Sequence, residues 1–223
     1  MNTRPALRRS IARAFRLLAA VAVLATGTMP VLGQTAATSA VSASTASPLG
    51  AAQLLAALRT GGYIVYFRHA STDFGANDDA MTTFEDCTKQ RNLTDQGRDE
   101  ARAAGAAIAS LNVPISGVLA SPYCRTMETA RLMFGRATAT PAVRGGPAQA
   151  DDARYADLRQ LMSTPVPRGA DLVIVSHGNP FRAVAGGPYL AEGEAAVIQP
   201  LGKDGFRVVG RIRKDEWAAL RAP

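Results

Sequence analysis

The sequence predicts an α/β fold: a three-layer sandwich with a mostly parallel central sheet and helices on both faces. Two observations lead to this prediction. Short runs rich in Val, Ile and aromatic residues, apolar on both faces, alternate with longer Ala- and Leu-rich segments of helical character. Three of these runs are followed at once by polar residues, as in parallel sheets that bind ligands beyond the carboxyl ends of their strands.

The first elements read as helix, strand, loop and helix. The segment "GAAQLLAALRTGG" predicts a short helix that ends at Gly61, and "YIVYF" at residues 63–67 predicts a buried strand. Residues 71–92 are polar and predict a long loop, a feature that is often functional in a compact domain. The segment "LTDQGRDEARAAGAAIASLN" then predicts a helix with Thr94 as its N-cap.

The later elements continue the alternation. Residues 115–122 predict a second strand, which leads into the helix "YCRTMETARLMFG". Residues 135–150 predict a loop with "PAVRG" as a candidate short strand, and "DDARYADLRQLM" predicts a helix opened by its acids. Residues 170–178 predict a third buried strand, "AAVIQPL" and "FRVVGRI" predict a hairpin around "GKDG", and "DEWAALRA" predicts a final helix.

The amino-terminal residues have the pattern of an export signal. Residues 1–33 hold five arginines and no acid, followed by the apolar run "LLAAVAVLA" and by Gly33 at a plausible cleavage point. We therefore expect a signal peptide and a periplasmic or secreted protein, with a retained membrane anchor as the alternative. The twin arginine in "RRSIARAF" leaves Sec and twin-arginine export both open. Residues 34–48 predict a disordered Ala/Ser/Thr-rich leader, and residues 49–223 the folded domain.

Charge argues against a nucleic-acid partner. The formal net charge of +7 is concentrated in the export segment, because the rest of the chain holds 20 basic and 18 acidic residues. Proteins that bind nucleic acids usually present a strongly basic face. We also expect no stable membrane insertion once the signal has been cleaved.

Four side chains point to phosphate chemistry. Arg68 and His69 end the first strand, His177 ends the third, and Arg125 follows the second, so the strand ends should present all four to one crevice. The guanidinium group offers a planar set of donors that matches phosphate oxygens. A neutral imidazole is a nucleophile at physiological pH. The chemistry we expect is phosphoryl transfer to histidine, followed by hydrolysis.

The segments "FRHAST", "LTDQGRDEAR", "ASPYCRTMETA" and "VIVSHGNPFRAV" occur in this order over residues 62–185. Together they resemble the histidine phosphatase superfamily, in its phosphoglycerate-mutase-like branch. The resemblance implies that His69 becomes the phosphohistidine and that Arg68, Arg125 and His177 bind the phosphoryl group and stabilise the transition state. It implies no metal or other cofactor. Ala70 stands where the family usually has glycine, a small replacement that should be tolerated.

The proton donor for the leaving group is less clear. Mutase-like members carry a glutamate after the second-arginine helix, but residues 132–150 contain no acid. The candidates here are Glu194, Asp73, Asp151 and Asp152, of which Glu194 is favoured slightly. Each has an ordinary alternative: a surface strand residue for Glu194, a solvated loop residue for Asp73, and helix-start charges for the aspartate pair.

The two cysteines, Cys87 and Cys124, predict one disulfide, because an exported chain with an even number of cysteines usually forms disulfides. The alternative is two buried free thiols. A bridge would pin the loop at residues 71–92 over the phosphate site.

The sequence therefore favours an exported, metal-independent phosphomonoesterase of the histidine acid phosphatase type, acting on a small-molecule or envelope phosphate ester. The alternative is a non-catalytic domain on the same scaffold that binds phosphorylated sugars or lipid headgroups at the cell envelope. A two-histidine metal hydrolase is disfavoured because no His-x-x-x-His motif is present. The sequence leaves the physiological substrate and the oligomeric state open.

Overall fold

The computed structural model describes residues 48–146 and 153–221. Within these ranges six strands form one sheet. They are β1 (Ile64–Arg68), β2 (Ile115–Ala120), β3 (Thr138–Ala139), β4 (Asp171–Ser176), β5 (Ala195–Pro200) and β6 (Phe206–Ile212). The helices of the same ranges are α1 (Ala51–Thr60), α2 (Asp95–Ser110), α3 (Cys124–Phe134), α4 (Ala156–Ser163) and α5 (Gly178–Ala185).

The sheet has the order β3-β2-β4-β1-β5-β6, with its first four strands parallel and β5 and β6 antiparallel. Its register aligns the carboxyl ends of β1, β2 and β4. Arg68 pairs with Ser176, and Ala120 pairs with Val175. The residues that follow these strands therefore leave the sheet from neighbouring positions at one edge, which is where the functional side chains were expected.

Alternating side chains of β1 supply both cores, because successive residues of a strand face opposite sides of the sheet. Val65 and Phe67 pack in the core formed with α1, α2 and α3, where Phe67 stacks on Trp217 at 5.5 Å between ring centroids. Ile64 and Tyr66 pack in the core formed with α4 and α5. The predicted fold, a largely parallel sheet between two helical layers, is thus confirmed.

The start of α2 shows how local sequence fixes the loop after β1. Thr94 is the N-cap, and its hydroxyl accepts a hydrogen bond from the backbone N–H of Gly97 at 3.0 Å. Gly97 must be small, because a Cβ atom there would collide with the carbonyl oxygen of Ser71. The first turn of α2 consequently packs directly against the chain that leaves His69.

Three local predictions need correction. "PAVRG" is not a strand: Pro141–Val143 form a 3₁₀ helix, and the short strand is Thr138–Ala139. Proline lacks the N–H that a strand ladder requires. The carboxyl-terminal helix is a 3₁₀ helix, Trp217–Arg221, whose three-residue turn places the buried Trp217 and Leu220 on one side. Finally, α4 begins only at Ala156, after the predicted acidic start.

The hairpin prediction is confirmed, since β5 and β6 pair from Ala195 opposite Ile212 to Pro200 opposite Phe206. The predicted signal peptide at residues 1–33 lies outside the described residues, as does all of the predicted leader at 34–48 except Pro48. In the part of the chain that the structure does describe, no helix combines the length and the apolar character needed to cross a membrane.

Candidate active site

A polar cavity of about 270 Å³ lies at the carboxyl ends of β1, β2 and β4. Arg68, His69, Arg125 and His177 all line it, so the structure brings together the four side chains that the sequence singled out. His69 follows β1, His177 is the N-cap of α5, and Arg125 lies in the first turn of α3. The segments that follow three different strands therefore supply the residues of one site.

His69 is held as a neutral imidazole with one defined tautomer. Its Nδ1 lies 2.9 Å from the carbonyl oxygen of Ala70, and because a carbonyl only accepts hydrogen bonds, Nδ1 carries the proton. The lone pair is then on Nε2. Burial lowers the pKa of His69 to about 3, with the charges of Arg125 and Arg68 acting in the same direction. At neutral pH this nitrogen is available as a nucleophile.

His177 faces His69 from the neighbouring strand end. The two ring centroids are 5.4 Å apart, and Nε2 of His177 is 2.8 Å from the hydroxyl oxygen of Ser121. Burial, followed by the proximity of His69, holds the pKa of His177 well below its usual range. Gly178 follows directly, and a Cβ atom there would collide with the ring of Tyr189, a further residue of the cavity wall.

Arg125 is the most deeply placed cation of the cavity that has an anionic partner. Its two terminal nitrogens donate to the two carboxylate oxygens of Asp78 at 2.9 and 3.0 Å, and its guanidinium lies 4.5 Å from the ring of Tyr123. Asp78 also accepts a hydrogen bond from the backbone N–H of Arg91. Burial opposes the ionised form of Asp78, but these hydrogen bonds outweigh it, and the pKa of Asp78 lies below its ordinary value.

Arg68 is anchored at the opposite wall. Its guanidinium donates to the carbonyl oxygen of Leu190 at 2.9 Å and to a carboxylate oxygen of Glu192 at 3.3 Å. The same oxygen of Glu192 accepts from the hydroxyl of Thr72 at 2.7 Å and lies 3.9 Å from Nδ1 of His69. Glu192 therefore lies against Arg68, Thr72 of the loop after β1 and the protonated nitrogen of His69.

Three arginines of the cavity keep a free donor. Among the described residues, the Nε–H groups of Arg68, Arg91 and Arg125 are buried and have no hydrogen-bond partner. A buried donor without a partner is unfavourable unless a ligand or water satisfies it. No trio of His, Cys, Asp or Glu side chains suited to a metal ion is found in the ranges described. The donor set is that of an anion site.

The disulfide prediction is confirmed, because Cys87 and Cys124 are bonded with their Cα atoms 5.7 Å apart. Cys124 precedes Arg125 at the start of α3, and its backbone N–H donates to the side chain of Gln90 at 2.9 Å. The loop at residues 71–92 is thus fastened to α3, the helix that carries Arg125. This loop supplies Asp78 and Arg91 to the cavity.

The structure does not bring Glu194 to the cavity. Its carboxylate accepts hydrogen bonds from Nε and Nη2 of Arg211 at 2.7 and 2.9 Å, and from the backbone N–H of Ala191. Although burial opposes ionisation, these partners lower the pKa of Glu194, so it holds no proton to donate at neutral pH. Asp73 is exposed and bonded to the N–H of Gly75, away from the cavity wall. Asp151 and Asp152 lie outside the described residues.

Several residues that line the cavity or hydrogen-bond to its side chains were not predicted from the sequence. Ser121 and Tyr123 belong to the "SPYCR" segment already marked for Arg125, so their presence could have been inferred from adjacency. Asp78, Arg91 and Glu192 sit in segments without periodicity, and only the tertiary contacts place them. The one available signal was the unusual length of the polar loop at residues 71–92.

Comparison with known proteins gives a family match over part of the chain. Residues 64–145 match the family model of the Histidine phosphatase superfamily (branch 1). No curated protein sequence matches the chain. A solved structure of the protein histidine phosphatase SixA complexed with tungstate is similar, with 20% identity, a TM-score of 0.51, and coverage of 68% of this chain and 97% of the other. The putative phosphohistidine phosphatase SixA from Agrobacterium tumefaciens gives 14% identity, a TM-score of 0.49, and coverage of 68% and 97%.

Proposed function

We propose that the chain is a member of the histidine phosphatase superfamily, whose family model matches residues 64–145, and that it is an exported phosphomonoesterase that works through a phosphohistidine on His69 without a metal ion. The observation that carries this proposal is a neutral imidazole with a free Nε2 in a cavity where three arginines keep buried, unpartnered N–H donors. Such donors neutralise a phosphate ester and thereby reduce the repulsion met by an attacking nitrogen.

In the first step, Nε2 of His69 attacks phosphorus, the P–N bond forms and the bond to the ester oxygen breaks. The imidazole gains positive charge as it reacts. The Nδ1–H bond to the carbonyl oxygen of Ala70 and the carboxylate of Glu192, 3.9 Å from the same nitrogen, stabilise that charge. Arg68 and Arg125 bind the transferred oxygens from opposite walls of the cavity.

In the second step, water attacks the phosphohistidine, the P–N bond breaks and phosphate leaves. His177 lies beside the nucleophile and is held neutral, so its ring can donate one hydrogen bond to a phosphoryl oxygen while Ser121 holds Nε2. This arrangement supports a role in stabilising the transition state of both steps.

Export is supported by the disulfide and by the arginine-rich, apolar start of the sequence. Disulfides persist in oxidising compartments and are rare in the cytosol of most organisms. We therefore propose that the substrate is a phosphate ester met outside the cytoplasm, either a small molecule or an envelope component. Because the structural neighbour is a protein histidine phosphatase, a phosphoramidate belongs in the substrate panel beside the esters.

The test is a rapid-quench experiment with a radiolabelled aryl phosphate in the presence of a chelator. We expect an acid-labile phosphoenzyme in the wild type, and for His69→Asn both loss of that species and a fall in turnover of at least about a thousandfold. The exposed Arg182→Ala variant is the control and should match the wild type. Saturable binding without a phosphoenzyme would instead identify a phosphate-recognition domain. Full activity of His69→Asn, or loss of activity with the chelator, would contradict the proposal.

A further inference from the structure

Of the described residues that line the cavity, Asp78 is the one with a carboxyl group. It comes from the disulfide-tethered loop and lies across the guanidinium of Arg125. Breaking an alkyl phosphate leaves an alkoxide that needs a proton, usually from a carboxyl group. Glu194 cannot supply it because Arg211 holds it elsewhere, and Glu192 faces the Nδ1 side of His69, away from the attacking nitrogen.

We propose that Asp78 is the general acid that protonates the leaving oxygen, an inference that rests on the phosphomonoesterase function proposed above. Asp78 and the phosphoryl group compete for the same donors, since a carboxylate and a phosphate both accept the two parallel N–H bonds of an arginine. An ester that binds Arg125 displaces the carboxylate from this arginine and leaves it beside the reacting phosphorus.

Displacement also changes the proton affinity of the carboxylate. Asp78 loses its strongest hydrogen bonds and gains an anionic neighbour, and both changes favour the protonated form. The proton arrives with the substrate, because a phosphate monoester still carries one below its second pKa of about 6. The charged and titratable groups that face this position are Arg125 from α3, Arg91 from the same loop, and Arg68, His69, Tyr123, His177 and Tyr189 across the cavity.

The reaction then balances. Nε2 of His69 forms the P–N bond, the P–O bond breaks, and its electron pair takes the proton of Asp78, which leaves an alcohol and a carboxylate. When water attacks the phosphohistidine, the carboxylate of Asp78 accepts the proton of that water. The P–N bond breaks, the phosphate takes the proton from Asp78 and leaves, and His69 and the Asp78 carboxylate are restored.

The loop keeps Asp78 within reach during this exchange. The backbone N–H of Arg91 donates to Oδ1 of Asp78 at 2.9 Å, and the carbonyl oxygen of Arg91 accepts from Arg125 at 3.2 Å. The Cys87–Cys124 bond ties the same loop to α3. The carboxylate can therefore leave the arginine without the loop leaving the cavity.

The experiment compares Asp78→Asn with Asp79→Asn, an exposed neighbour with the same charge change. First-turnover release of the leaving group is measured for 4-nitrophenyl phosphate, whose phenolate leaves unaided, and for glycerol 2-phosphate, whose alkoxide does not. We expect Asp78→Asn to slow the alkyl ester about a hundredfold and the aryl ester less than about threefold. Asp79→Asn should match the wild type on both, and Asp78→Glu should restore part of the alkyl activity.

An equal loss on the two esters, or no loss on the alkyl ester, would overturn the role of Asp78 while leaving the phosphomonoesterase function intact. The His69→Asn experiment tests that function independently. A wild type that hydrolyses neither ester would overturn both proposals. Thermal unfolding of Asp78→Asn shows whether an equal loss of activity on the two esters reflects misfolding. If it does, the Asp78→Glu variant, which keeps the charge, provides the test. The proposal requires this variant to lose more activity on the alkyl ester than on the aryl ester.

Discussion

Two arginine–carboxylate pairs in this molecule are each joined by two hydrogen bonds but have opposite burial. In the cavity pair, the Arg125 side chain is 6% exposed and that of Asp78 is 29% exposed. In the pair between β6 and the start of β5, the Arg211 side chain is 28% exposed and that of Glu194 is 10% exposed. The first pair buries its cation and leaves its anion replaceable, whereas the second buries its anion.

The two arginines also differ in how their donors are used. Arg211 donates through Nε and Nη2 to Glu194, and through its terminal nitrogens to the carbonyl oxygens of Pro188 and Tyr189. Arg125 leaves its buried Nε without a partner in the described chain. A guanidinium whose N–H groups all donate to protein acceptors has a structural role. One with an unused buried N–H group can still donate to a bound anion. Both arginines form an ion pair, so the unused buried donor, together with the place in the cavity, is what distinguishes Arg125 from Arg211.

The largest expected effect is a loss of activity when Arg125, but not Arg211, is replaced. Arg125→Ala should lower kcat/KM for an aryl phosphate by about a hundred- to a thousandfold, because it removes donors to the transition state. Its unfolding free energy should change little, since Asp78 is left on a partly exposed loop. Steady-state kinetics and urea unfolding on the same samples measure the two effects.

Arg211→Ala should give the reverse result. Unfolding should become easier by about 3 kcal/mol, because the buried Glu194 carboxylate loses its partner, while kcat/KM stays within about twofold. The lowered pKa of Glu194 means that its stabilisation is present above the pKa of the unfolded chain and is lost as pH falls. The difference between wild type and Arg211→Ala should therefore shrink below about pH 4. Similar losses of kcat/KM in Arg125→Ala and Arg211→Ala would show that the two arginines do not differ in function.

The same contrast explains what could be predicted from the sequence. Arg68 ends β1, His69 and His177 directly follow β1 and β4, and Arg125 lies in the first turn of the helix after β2, so the fold class places the four together. The sequence slightly favours Glu194 among four candidate proton donors, but the environment of Glu194 depends on the register of β5 with β6, which brings Arg211 opposite Ala196. The hairpin prediction contained that information in part.

Asp78 and Arg91 could not be placed in the same way. They belong to a loop of residues 71–92 in which no period relates a residue to a face. Three contacts hold them at the cavity: the disulfide, the hydrogen bonds between the Arg125 guanidinium and Asp78, and the hydrogen bond from Arg125 to the backbone of Arg91. Such contacts join segments 30 to 50 residues apart, as the separations of 37 for the disulfide and 47 for the ion pair show. The two cysteines predict the disulfide, but nothing in the local sequence predicts the contacts of Asp78 with Arg125 and with the backbone of Arg91.

The carboxyl group of Asp171 is also buried but has no arginine partner in the described chain. Its substitution should have an effect of intermediate size. Asp171 begins β4 at the edge of the sheet opposite the cavity, and Oδ1 accepts from the backbone N–H of Tyr63 at 2.9 Å. Its Oδ2 is buried without a partner among the described residues. Burial raises the pKa of Asp171 to about 7, against the smaller effect of that hydrogen bond. The folded protein therefore keeps this group protonated in weak acid.

Because the folded-state pKa is raised, stability is lost as pH rises from the unfolded pKa of about 3.9 towards 7. Asp171→Asn removes the ionisation and should be more stable than the wild type by about 2 kcal/mol at pH 8. At pH 4 the two should unfold alike. Urea unfolding at both pH values measures this, with the exposed Asp99→Asn as the control. An equal difference at pH 4 and pH 8 would show that Asp171 does not titrate in the fold.

The smallest effect concerns Arg91, which resembles Arg125 in its unpartnered Nε but lies on the loop at residues 71–92 rather than on a helix. Its guanidinium is 4.9 Å from the ring of the exposed Phe74, and its backbone, not its side chain, bonds Asp78. It should therefore contact the outer part of a bound ester more than the transferred oxygens. Arg91→Ala keeps the backbone bonds and should raise KM about fivefold, roughly the value of one charge-assisted hydrogen bond at a partly exposed position, with kcat within about twofold. Initial-rate kinetics measures the effect on two esters: one whose leaving group carries a negative charge, and an aryl phosphate whose leaving group carries none. A fall in kcat with unchanged KM would place Arg91 with Arg125 among the groups that act on the transition state.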